Sequence, residues 1–466
     1  MKLLYSILFF VIFSSVYYFV ICQDVPSPRR QHTSTLVGTR LYFFGGATSS
    51  TRKSNEVWYH DLSSSFNIST PPWHSDVVMP VAYNFGTSCL SPIDNSTVFL
   101  IGGRTFIPIS ATTDYYSYIS SVYKFNSKTS QWTTPTINNF NSSFATRNEI
   151  QAVIDNNGKI FIFGGTNYDN LTTLFYNDMN ILDTTNMTWS TPIQSQSVLT
   201  YLDYTATLLP NGLIVYVGGR SGSSSNVNLI DMAQIQIFDT KSYTWSAKSA
   251  SGSTIASRTG HSAVLTQDGN IIIYGGSLQD SSGNPATLFS DIAVLNTNSW
   301  VWSVPSVSGT SAPPLTRHSA ALYKNYMILA FGATSASNLY TNDIYILNIQ
   351  NYTWVAKFNV PTTTIPPKQP PSTGNSSTDQ ANNNFTYLYI GIGIGAGVVI
   401  LTAVLLIIGF FIYKNRHGEE FIMTSGTSRN DHIRETHMST VYTTGIPPPE
   451  TYVQTPLYGV PAPGSN

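Results

Sequence analysis

Cysteine is almost missing from this chain: Cys22 and Cys89 are the two in 466 residues. Cys22 falls within an apolar leader, so removal of that leader leaves no internal disulfide. An exported domain of this sequence must hold itself with a large core or with many small packed units. Charge is scarce as well. Asp, Glu, Lys and Arg make up 10% of the residues and the net charge is −1, against about 25% charged residues in a typical soluble domain. Neither sign dominates, which excludes the basic footprint of a nucleic-acid binder. No phosphate loop, zinc spacing or nucleophile elbow occurs, so the motif-borne enzyme classes find no support, and no cofactor or metal site is expected. Polarity comes instead from Ser, Thr, Asn and Tyr, a surface common outside the cell.

Two long apolar runs are present. Leu3 to Ile21 follows one lysine and gives way to Gln23 and Asp24, the layout of a secretory signal peptide over residues 1–22, with an uncleaved anchor as the competing reading. Leu388 to Tyr413 is 26 residues without a charge, and about 20 suffice to cross a bilayer as a helix. Lys414 and Arg416 follow at once, the flank expected on the cytoplasmic side. The chain thus reads as a single-pass type I protein of the plasma membrane, with its N-terminal part outside and residues 387–413 spanning. Gly391, Gly393, Gly395 and Gly397 give small-xxx-small spacings that permit a homodimer through the span. Residues 361–386, rich in Pro, Thr, Ser and Asn, read as a stalk, and residues 414–466 as a disordered tail. Eight Asn-x-Ser/Thr sequons start at Asn67, Asn95, Asn141, Asn170, Asn186, Asn351, Asn375 and Asn384, all on the proposed outer side, which implies a glycoprotein.

What fills residues 23–360 is repetition. An apolar run ends in paired glycines at Gly45-Gly46, Gly102-Gly103, Gly164-Gly165, Gly218-Gly219 and Gly275-Gly276. A sixth copy, MILAFGA, keeps Gly332 and puts Ala333 in second place. Each run follows a short strand-like segment. Each precedes alternating residues that close on Asp61, Asn126, Asp183, Asp239, Asn296 or Asn348. Trp132, Trp189, Trp245, Trp302 and Trp354 lie six residues beyond that Asp or Asn in five copies, and Phe66 takes the place in the first. Period-two apolar runs bounded by turn residues read as strands. Paired glycines let neighbouring backbones come close, the Asp or Asn makes a tight turn, and the indole supplies an apolar plate between sheets. A four-stranded unit cannot bury both faces alone, so it needs neighbours.

The hydrophobic-Gly-Gly element, the Asn342-Asp343-Ile344-Tyr345 and Asn177-Asp178 segments and the following tryptophans resemble kelch repeats. So do the openings Arg29/His32, Arg258/His261 and Arg317-His318. The resemblance covers residues 28 to 358 and implies an all-β, six-bladed kelch β-propeller. How such a ring closes is not expressed in the repeats.

Kelch propellers include enzymes similar to galactose oxidase, whose copper site needs two tyrosines, two histidines and a cysteine cross-linked to tyrosine. Here His32, His261 and His318 occupy positions that are structural in the repeat, and Cys89 has no evident tyrosine partner. His60 and His74 read as isolated surface residues. Six-bladed sialic-acid epimerases are similar in architecture, and Glu149 and Asp203 lie near channel-side strands, yet acidic pairs are too sparse in sequence to nominate a dyad. The expectation is therefore a non-enzymatic binding or scaffold module for an extracellular protein or glycan, in adhesion, sensing or cell polarity. A membrane-anchored carbohydrate-active enzyme, oxidase-like or epimerase-like, is the alternative. Recognition residues are expected on the variable loops. The longest, after Gly103, carries Arg104, Phe106, Tyr115, Tyr116 and Tyr118, and the third repeat adds Tyr168 and Phe175. Arginine and tyrosine dominate recognition surfaces.

Overall fold

The computed structural model describes residues 25–361 except 109–113, 117–119, 170–171, 194–197, 224–225, 280–284 and 336. Each repeat folds as a four-stranded antiparallel meander. The inner strands are Thr33–Val37, Ala82–Leu90, Ala152–Ile154, Thr205–Leu208, Ser262–Leu265 and Ser319–Tyr323. The second strands, which carry the apolar runs, are Arg40–Phe44, Thr97–Pro108, Lys159–Phe163, Leu213–Val217, Asn270–Tyr274 and Tyr326–Ala330. Third and outer strands follow in the same order along each repeat. Every inner strand touches the inner strands of both neighbours, the last also touching the first, so six blades close into a ring.

Six apolar clusters hold the blades, one in each seam. Sandwiching explains why the second strands are apolar on consecutive residues: both of their faces are covered, as in Ile271 to Tyr274. Trp132, Trp189, Trp245, Trp302 and Trp354 stand on outer strands and pack against the preceding blade. Four of the five are buried, while Trp132 is half-buried and donates to the carbonyl of Val77. In the first blade the expected plate was Phe66, but the outer strand is His74–Asp76 and Trp73 stands before it. Phe66 instead belongs to a two-residue ladder with Lys357–Phe358. His60 is not a surface residue either. It is fully buried with its ring 3.9 Å from that of Trp73, because the extra ladder and residues 72–73 cover it. His74 is exposed, as read from sequence.

The paired glycines turn the chain toward the next blade. Gly164 has φ +65°, and a Cβ there would meet the carbonyl oxygen of Tyr201 at 2.5 Å. Gly165 donates its N–H to that same carbonyl at 2.7 Å, and equivalent bonds of 2.7–2.9 Å cross all six seams. In the sixth blade the donor is Gly332, to Arg29. Gly332 is thus the second of the pair, not the first, and Phe331, at φ +61°, holds the first position. Its ring is accommodated because it fills the closing seam, against Phe43, Trp73 and His32. Ala333 follows the pair, as Ala47 does in the first blade. The Asp and Asn residues that end the third strands each accept an N–H two residues ahead, at 2.8–3.1 Å.

Both ends of the propeller stitch the ring. Arg29 donates to the carbonyl of Thr341, and Phe358 buries its ring on Phe66 and Tyr326. Each blade keeps four strands of its own. Among the described residues no helix is long and apolar enough to cross a membrane. The signal, span, dimerising glycines and tail, and the stalk beyond Pro361, fall on residues 1–24 and 362–466, outside the described residues.

Candidate functional site

Two antiparallel strands per blade fix where a site can form. The inner strands begin, and the second strands end, on one face, so the variable loops after the glycines rim the mouth of the central channel. One residue precedes each inner strand or, as Phe85 does within Ala82–Leu90, interrupts its pairing: Gln31, Phe85, Glu149, Asp203, Gly260 and Arg317. All six have left-handed backbone, φ +55° to +62°. Five are not glycine, and such a conformation costs of order 1–2 kcal/mol for an L-residue. What offsets it is a closed circle of hydrogen bonds. Each N–H donates to the carbonyl of the equivalent residue in the preceding blade, at 2.8–3.3 Å, from Gln31 to Arg317 and so around. This collar leads into a recess of about 200 Å³ lined by residues of all six blades.

Below the collar the walls are hydroxyls and imidazoles. His32 pairs with Ser319 at 2.8 Å, His318 with Ser262 at 2.8 Å and His261 with Thr205 at 3.2 Å, each across a seam. Burial drives His261 and His318 down to about 3. They are neutral structural groups, as the repeat implies. Arg29, Arg147 and Arg258 are structural too. Each is fully buried, donates to the carbonyl of the first glycine in its blade, and pairs with Glu56, Asp178 or Asp291. Cys89 lies on an inner strand, and burial pushes its thiol up to about 12. It is an inert core residue.

The charged groups collect at the mouth. Arg220 donates to Glu149 at 2.6 Å and lies 3.2 Å from Asp203. Burial first, and then Asp203, raise the Glu149 pKa. The two acids, far apart in sequence, therefore share one guanidinium on adjacent blades, a juxtaposition that the sparse sequence pattern did not reveal. Aligning the repeats on the residue before the inner strand would have found the position. Its six side chains differ so much that the column looks like noise.

Of the loop residues, Arg104 reaches this mouth: its Nη2 is 3.3 Å from Asn148 Oδ1, and its guanidinium lies 5.1 Å over Phe85. Phe106 is half-buried, edge-to-face with Tyr116 at 5.6 Å, with Lys53 5.2 Å above it. Tyr116 is exposed and Phe175 half-buried. The side chains of Tyr115, Tyr118 and Tyr168 lie outside the described residues. Among the sequons, Asn67, Asn95, Asn186 and Asn351 are exposed. Asn141 is engaged in the fold, capping the turn Ser142–Phe144 and donating to Thr191 at 3.2 Å. Asn170, Asn375 and Asn384 lie outside the described residues.

Two family profiles match the chain: an Attractin/LZTR1 beta-propeller over residues 13–231, and a KLHDC2/KLHL20/DRC7 Kelch-repeats domain over residues 204–395. Kelch domain-containing protein 3 of Rattus norvegicus is 29% identical over 326 residues, covering 66% of this chain and 79% of that protein. The Homo sapiens protein of that name is 28% identical over the same coverage. Acyl-CoA-binding domain-containing protein 4 of Arabidopsis thaliana is 27% identical over 42% of this chain and 28% of its own length. The solved structure titled "Structure of YjhT" superposes with a TM-score of 0.53 at 12% identity, covering 72% of this chain and 98% of that one, a likeness of fold. The chain belongs to the kelch-repeat β-propellers. That class suggests a scaffold for binding protein partners.

Proposed function

We infer that this propeller is a binding and scaffold module displayed at the cell surface, with the channel mouth and its rim as the contact face for an extracellular protein or glycan. The recess that all six blades line supports this reading. Side chains from every repeat converge there, and its mouth carries charged groups where the walls below carry hydrogen-bonded hydroxyls. The leader, span and sequons read from sequence support a plasma-membrane, type I placement, with service in adhesion, sensing or polarity. Proximity labelling from the outer domain in intact cells tests both parts. Replacing Arg104, Tyr115, Tyr116 and Tyr118 with alanine is expected to remove a partner from the labelled set while leaving the thermal midpoint unchanged. An unchanged set overturns the choice of face, and labelling of cytosolic proteins overturns the placement.

A carbohydrate-active enzyme is the second reading, favoured by one observation: Glu149 and Asp203 share Arg220 at the mouth, and the Glu149 pKa is raised. Sugar epimerisation or peroxide release by the purified chain, abolished in Glu149→Gln, would establish it over the scaffold reading.

A further inference from the structure

We propose that the cationic side of the mouth, Arg30 and Arg317 at the seam of the first and sixth blades, receives one acidic side chain from a protein partner. The inference rests on the binding reading above and specifies its chemistry. Arg317, Glu149 and Asp203 line the recess, Arg220 pairs with both carboxylates, Arg104 reaches Asn148 beside them, and Arg30 stands next to Arg317. Both carboxylates are at ion-pair distance from Arg220, and the charges of Arg317 and Arg104 reach Glu149 from further off. Arg317 lines the recess with its guanidinium 5.4 Å above the ring of Phe85. Arg30 lies 5.2 Å over Tyr340, and its Nε and Nη1 are buried with no hydrogen-bond partner. Among the described residues neither Arg30 nor Arg317 has a carboxylate at ion-pair distance.

The rest of the ring shows what these groups lack. Arg29, Arg147 and Arg258 are each matched by a carboxylate of their own blade. Burial and then the charge of Arg317 lower the Arg30 pKa, so the two cations are close enough to repel each other. Like charges held close to each other favour an anion between them, and a carboxylate matches the guanidinium fork in two parallel bonds. Size selects the source. A recess of about 200 Å³ is smaller than the roughly 300–1,000 Å³ of most small-molecule sites. It suits a single inserted Asp or Glu side chain better than a saccharide ring. Aromatic neighbours at Phe85 and Tyr340 flank the entering group.

The experiment selects peptides from a displayed random library on the full chain in detergent. The expected result is a set sharing an Asp or Glu at one position, with the amide replacement of that residue binding at least tenfold more weakly. The tenfold difference should vanish in the double variant Arg30→Gln, Arg317→Gln and persist in Arg317→Lys. Thermal unfolding shows whether the double variant folds, and if it does not, Arg317→Gln alone decides. Peptides whose acid and amide forms bind alike, or a double variant that still discriminates, overturn the proposal. Those outcomes leave the scaffold reading intact if the peptides suppress surface labelling. Capture of carboxylated glycans in place of peptides on an array overturns the peptide source. Capture of neither overturns this proposal and the choice of face together.

Discussion

At Gly164 a single hydrogen in place of a side chain decides whether two blades can meet. The backbone is left-handed, and the carbonyl of Tyr201 occupies the space a Cβ would need. Gly164→Ala therefore combines a left-handed penalty of about 1–2 kcal/mol with a backbone clash and should destabilise by at least about 2 kcal/mol. Gly38, also left-handed at φ +59° but with open space around its Cβ position, gives the control. Gly38→Ala should cost only that left-handed penalty of about 1–2 kcal/mol. Denaturant midpoints of the two variants separate strain from clash, and equal losses would refute the seam contact. Histidine acts at the same scale. His60, His261 and His318 titrate near about 3 in the fold, and near about 6.5 when unfolded. Between those values the unfolded chain binds more protons, so stability falls as pH drops from 6.5 towards 3. Each histidine contributes a slope of at most about 1.4 kcal/mol per pH unit. Unfolding free energies measured across that window should fall less steeply for His318→Gln than for the parent chain, and parallel curves would refute the assignment.

At the scale of the element, the outer-strand indoles do what the strand ladders alone cannot. Trp302 is buried in the seam against Val215 and Val217 and donates its Nε1 hydrogen to Met232 at 2.9 Å. Trp302→Ala removes a packed plate and should cost about 3–5 kcal/mol, read as a lower thermal midpoint. Trp132, half-buried at the rim, should cost less. The strands, their turns and five of six plates were legible in the sequence, because alternation, paired glycines and Asx turns are local chemistry. The first blade was not. The spacing from Asp61 points to Phe66, whereas Trp73 fills the seam, since the inserted ladder with residues 357–358 displaces the outer strand. Phe331 was missed for a related reason: an apolar residue in a glycine position is acceptable only where the closing seam has room for its ring.

For the whole molecule, the ring has one seam that differs from the other five, the one joined by both ends of the propeller chain. Phe358 packs there on Phe66, Tyr323 and Tyr326. Phe358→Ala should lower stability by about 3–5 kcal/mol. Amide exchange should quicken first at Arg29 and Gly332, whose hydrogen bonds cross that seam. Uniform exchange over all six seams would show that closure does not depend on this latch. The same seam carries Arg30 and Arg317, so the least regular joint of the ring is also the most cationic part of its mouth.

The sequence by itself determined the repeat, its strands and the number of blades, since each rests on spacing and side-chain type within about sixty residues. It also marked Arg104 as a rim residue. Only the tertiary structure decided the collar, the shared guanidinium between Glu149 and Asp203, and the pairing of Arg30 with Arg317 across 287 positions of chain. Ring closure sets those neighbours, and a periodic pattern is blind to it, because residues that converge on the axis come from different repeats and need not resemble one another.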